Sequence, residues 1–133
     1  ERGAAVAHCP LSNARHGHGW APVDRMLEAG LRVGLGTDSE LSIGPLDLWA
    51  EARAVRDRFG LSADLVLRML TLGGAAAIGM EAAVGSLVAG KWGDLVAVSL
   101  GGPCSAEALA GRLLERGGMG VSGVWLGGRL ALP

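Results

Sequence analysis

The chain has 133 residues, half of them apolar, with 12 basic and 13 acidic side chains and a formal net charge of −1. That balance describes a globular chain with a modest core, and gives no electrostatic reason to expect nucleic acid or an acidic membrane as partner. No run reaches the roughly 18 to 20 apolar residues of a spanning helix, and no secretory leader pattern opens the chain. Cys9 and Cys104 do not make a disulfide framework, so a reducing cytoplasm is the expected compartment.

The chain opens on Glu1 rather than Met and enters a strand-like run almost at once, which leads us to expect a piece of a longer polypeptide. Ala4 to His8 reads as a short buried strand, stopped by Cys9-Pro10 because proline cannot donate to a sheet ladder. Residues 11–21 read as a loop rich in Gly, Asn and His. Val23 to Ala29 is helical by pattern, with Pro22 near its start and Gly30 just past its end. Arg32 to Gly36 is a second strand, followed at once by Thr37-Asp38-Ser39.

Asp47 to Phe59 reads as a helix with Leu48, Ala52 and Val55 on an inward stripe. Ser62 caps a further helix to about Leu72, which Gly73-Gly74 interrupts before a short Ala-rich turn. Near-continuous apolar strands alternating with helices indicate a parallel sheet covered by helices. The period then changes. Leu95 to Ser99 and Val121 to Leu126 read as strands around a helix at Ser105 to Arg116, and Gly127-Gly128 is a two-residue hairpin signal.

These residues resemble the C-terminal part of an amidohydrolase-superfamily enzyme. His8-Cys9-Pro10-Leu11-Ser12-Asn13, Ala21-Pro22-Val23, Leu27-Glu28-Ala29-Gly30 and Gly34-Leu35-Gly36-Thr37-Asp38-Ser39 are similar to the seventh and eighth barrel strands of the cytosine, S-adenosylhomocysteine, guanine and aminodeoxyfutalosine deaminases and the triazine chlorohydrolases. Gly85-Ser86-Leu87, Gly90-Lys91, Gly93-Asp94-Leu95-Val96 and Val124 to Arg129 resemble that family's return into its β-sandwich. The resemblance implies an α/β fold. Residues 1–80 would be the C-terminal portion of a TIM-type (β/α)8 barrel, with strands 7 and 8 and their helices, and residues 81–133 part of a small β-sandwich.

The resemblance also implies metal-dependent deamination of an amino-substituted heterocycle, nucleoside- or nucleobase-like, in the full-length protein. The cofactor is a divalent metal, zinc ahead of iron, and a homodimer is the assembly such relatives commonly form. Of the family's metal ligands only the Asp after strand eight has a counterpart, Asp38; the His-x-His after the first strand and the further His have none. A barrel of this type needs about 250 residues. The chain alone is therefore expected to be inactive, and the rival expectation is a non-catalytic remnant or a structural or binding module.

Asp38 is expected as metal ligand and proton shuttle, against a plain Thr-Asp-Ser turn. His8 ends a strand at the same mouth, either as a catalytic group or as a buried His bonded to a carbonyl. Ser12 and Asn13 either position substrate or brace the loop, and Trp20 either lines a pocket or covers the barrel top. His16-Gly17-His18 imitates a metal-binding pair but follows the wrong strand, so loop or substrate contacts are expected of it. Arg53, Arg56 and Arg58 with Asp57 read as a solvated face, and Cys9 as a small buried residue.

Overall fold

The computed structural model describes residues 3–132. Strand β1 (Ala5–His8) pairs in parallel with β2 (Arg32–Leu35), Ala5 opposite Arg32 and His8 opposite Leu35. Parallel neighbours need a crossover, and the intervening segment supplies α1 (Pro10–Arg15) and α2 (Val23–Glu28). After β2 come α3 (Glu40–Ile43), α4 (Leu48–Phe59), α5 (Ala63–Leu70) and α6 (Leu72–Ala77). A second, antiparallel sheet holds β3 (Leu95–Val98), β4 (Val121–Leu126) and β5 (Arg129–Leu132) in that order, with α7 (Ala106–Arg116) between β3 and β4.

Local chemistry sets the helix ends. Asp47 caps α4, its Oδ1 accepting the Trp49 and Ala50 N–H groups at 2.9 and 3.1 Å, and Gly60 ends the helix in the left-handed region at φ 62°. Ser62 and Ser105 cap α5 and α7 through their hydroxyls. At Gly127-Gly128 both φ values are positive, 57° and 77°, as a tight hairpin turn demands.

Two expectations are corrected. The segment after Cys9 is a helix for its first six residues, Pro10 to Arg15, not a loop, because proline's fixed φ and missing N–H suit the first helical position as well as they end a strand. Gly73-Gly74 does not break a helix but sits inside α6, pressed against β2. A Cβ on Gly34 would come within 2.6 Å of the Gly74 Cα, and one on Gly73 within 2.7 Å of the Val33 carbonyl oxygen. These glycines are there for close approach, and packing overrides their poor helix propensity.

The core gathers on the first sheet and its helices and takes in α7. Val23, Val33, Leu35, Ala52, Val55, Val66 and Met69 pack together with Leu114 of α7, which is 0% exposed. Arg53 and Arg56 are not merely solvated. Arg53 donates to the Leu114 carbonyl at 3.0 Å, and Arg56 bridges Asp57 and Glu115. No helix among the described residues is long and apolar enough to cross a membrane.

Candidate active site at the strand ends

The parallel pairing of β1 and β2 brings His8 and the Gly36-Thr37-Asp38 turn to one end of the sheet, and the Gly36 N–H donates to the His8 carbonyl at 2.9 Å. This is the carboxyl end of the strands, where open and closed α/β sheets alike place their chemistry. Gly36 suits the closeness of the two ends, since a Cβ there would stand 3.2 Å from the Cys9 Sγ and the thiol would have to give by a few tenths of an ångström.

Asp38 has φ 64°, and among the described residues it is the only non-glycine with positive φ. Such backbone is uncommon outside glycine and gathers at functional sites. Its Oδ2 accepts the Ser12 hydroxyl at 2.7 Å and its Oδ1 the Ser39 N–H at 2.8 Å. Hydrogen bonds from Ser12, then Ser42 and the Ser39 backbone, hold the carboxyl below its ordinary range, with a smaller contribution from the nearby His16 ring. The group is exposed and ionised, so it can accept a proton.

His8 is 3% exposed, and its Nε2 has no hydrogen-bond partner among the described residues. Burial pushes its pKa down, which favours the neutral ring. The carbonyl bond expected for a purely structural histidine is not found at this nitrogen. Ser12 is buried on α1 and faces Asp38, while Asn13 is half-buried beside it, its backbone N–H held by the Cys9 carbonyl at 3.1 Å. Cys9 is half-buried; burial first, then the Glu51 and Asp38 charges, raise its thiol pKa against a lowering hydrogen bond from the Asp38 backbone, which disfavours the thiolate.

The structure does not bring Trp20 to this cluster. Its ring packs edge-on against Phe59 at 6.3 Å with the Arg58 guanidinium 5.9 Å above it. Phe59 ends α4, about 12 Å of helical rise from Glu51. His16 and His18 have ring centroids 5.9 Å apart, and only His16 reaches the field of Asp38.

Sequence inspection missed Glu51. It is 0% exposed, its Oε2 accepts the Leu11 N–H at 2.8 Å, and its Oε1 has no partner. The signal was present in the spacing, since Glu51 lies at i−1 and i−4 to the buried Ala52 and Val55; Leu48, expected on the same inward stripe, is instead 42% exposed, at the first turn of α4.

The sequence profile of the Amidohydrolase family matches residues 1–131. The chain belongs to the amidohydrolase family. It is 46% identical over 103 residues to a 5-methylthioadenosine/S-adenosylhomocysteine deaminase of Desulforudis audaxviator, a match covering 71% of the chain and 24% of that protein. The corresponding enzyme of Syntrophobacter fumaroxidans is 41% identical over 111 residues, 77% of the chain and 25% of the relative. The chain thus spans about a quarter of the length of the curated relatives it matches. Among solved structures, an adenosine deaminase from Xanthomonas campestris with bound zinc superposes with a TM-score of 0.87 at 32% identity, over 98% of this chain and 32% of that one. The atrazine chlorohydrolase of Arthrobacter aurescens complexed with zinc gives 0.79 at 29% identity, over 98% and 31% respectively. The amidohydrolase fold and the α/β class are therefore common to this chain and its relatives.

Among the described residues no three His, Cys, Asp or Glu side chains gather closely enough to hold a metal ion. The Asp38 carboxylate has about four acceptor sites, of which the short hydrogen bonds from Ser12 and Ser39 take two, so it keeps lone pairs that a metal could take, and the unpartnered His8 Nε2 is a second free donor nearby in the fold. The chain's donor set fits one corner of a metal site.

Proposed function

We propose that this chain forms the C-terminal part of a metal-dependent deaminase acting on an amino-substituted heterocycle, nucleoside- or nucleobase-like. Residues 1–80 would contribute strands 7 and 8 of a (β/α)8 barrel, and residues 81–133 part of a β-sandwich. The observation that carries the proposal is Asp38: an ionised carboxylate on left-handed backbone at the carboxyl end of a parallel strand pair, held by Ser12.

In this reading Asp38 is one ligand of a divalent metal, zinc ahead of iron, and the other ligands come from barrel strands outside the chain. When bound, such an ion supplies Lewis acidity that activates water near neutral pH. Asp38 takes a proton from the attacking water as the C–O bond forms at the amino-bearing ring carbon. It returns that proton to the departing nitrogen, so that ammonia leaves as the C–N bond breaks, and the remaining hydroxyl proton passes to the adjacent ring nitrogen, so that a carbonyl replaces the amine. Neutral His8, with its free Nε2, hydrogen-bonds a substrate heteroatom or assists that transfer. Ser12 fixes the carboxylate, and Asn13 beside it contacts substrate. Trp20 takes the covering role, since Phe59 and Arg58 occupy its ring. The substrate is a small molecule, the compartment the cytoplasm, and the assembly of the full-length protein a homodimer.

The test is ammonia release by the zinc-loaded protein that carries this chain, across a panel of adenosine derivatives, aminopurines and aminopyrimidines. Turnover of at least one is expected. No release from any member would reject the proposal.

A further inference from the structure

Helix α1 has six residues, too few to sustain itself. Its N-cap, Cys9, offers no side-chain hydrogen bond, and Pro10 has no N–H. The Leu11 N–H is thus an orphan donor of the first turn, and the group that takes it comes from another helix, Glu51 of α4. The next residue, Ser12, donates to Asp38. Two short bonds of 2.8 and 2.7 Å therefore run from the interior of α4 through the first turn of α1 to the exposed carboxylate.

Glu51 is buried on the same face of α4 as the apolar Ala52 and Val55, and a leucine there would pack without desolvating a carboxyl group. Among the described residues no other carboxylate is so fully buried. Packing alone does not call for an acid at this place; holding the Leu11 N–H does.

We propose that Glu51 is a positioning residue for Asp38, fixing the first turn of α1 through the Leu11 N–H and, through Ser12, the orientation of the Asp38 carboxylate. The functional part rests on Asp38 being the reacting carboxylate.

Two readouts test it in the protein that carries this chain: hydrogen exchange of the peptide spanning residues 9–16, and steady-state deamination. E51L should lose protection in that peptide and lower kcat roughly 10- to 100-fold, with KM within about twofold, as expected for a misplaced group. E51Q keeps an acceptor oxygen and should restore both. In the S12A background, E51L should lower kcat little further, because both act on one path. Unchanged protection and kcat in E51L would overturn the proposal, and so would losses from E51L and S12A that simply multiply. Should E51L fail to fold, E51D decides: one methylene too short, it should lose protection and kcat, and wild-type behaviour would overturn the proposal. If the wild-type protein deaminates nothing, the deaminase reading fails, while exchange in E51Q and E51D still decides whether Glu51 holds α1.

Discussion

The Ser12 hydroxyl donates to Asp38 Oδ2 at 2.7 Å, tying the helix after β1 to the turn after β2. Twenty-six residues separate the two in sequence, and the parallel pairing of the strands is what lets them meet.

That bond has a pH signature. Hydrogen bonds, Ser12's foremost, hold the Asp38 carboxyl below its ordinary range. A depressed carboxyl contributes stability above its unfolded pKa, and loses it as pH falls through the folded one. S12A should therefore move the acid limb of kcat/KM to higher pH, since proton acceptance requires the ionised form. An acid limb that stays in place in S12A would mean that the bond does not tune Asp38.

The contact between β2 and α6 makes a packing prediction. With a Gly34 Cβ falling 2.6 Å from the Gly74 Cα, one layer must shift to admit a methyl group. G34A should destabilise by about 1–3 kcal/mol, the usual cost of overpacking a tight interface. Urea unfolding of the protein that carries this chain measures it, and a midpoint within error of wild type would refute the close approach.

Helix α7 lies beyond the first sheet in sequence yet drives Leu114 into the core beside Val55 and Val66. L114A should cost about 2–5 kcal/mol through lost burial and the cavity left behind. A calorimetric scan would show a single transition displaced downward. A loss confined to a separate minor transition would mean that α7 does not brace the first sheet and its helices.

Much of this was legible in the residues. The runs at 4–8 and 32–36 declared two strands, the pattern from Asp47 to Phe59 declared α4, and Gly127-Gly128 marked a hairpin. Asp38 stood out because it follows a strand directly. What stayed hidden depends on tertiary neighbours. Pro10 carries two meanings, and only the surroundings choose between ending a strand and beginning a helix. Gly73-Gly74 reads as a breaker until β2 is laid against it. Glu51 was legible by helical spacing, but its charge argued for solvent, and the Leu11 N–H that accounts for its burial lies 40 residues away. Trp20 left pocket-lining and covering roles open in its Gly-rich segment, and only the fold sets its ring on Phe59.

The most direct test of the central claim compares ammonia release by the zinc-loaded wild-type protein with that of D38N. Asparagine tolerates left-handed backbone and keeps one of the two acceptor oxygens, so the fold should persist with a modestly lowered melting temperature while the proton acceptor is lost. We expect wild-type turnover of an amino-substituted purine or pyrimidine and a rate at least about 100-fold lower in D38N. Equal rates in the two proteins would contradict the assignment of Asp38 as the reacting carboxylate.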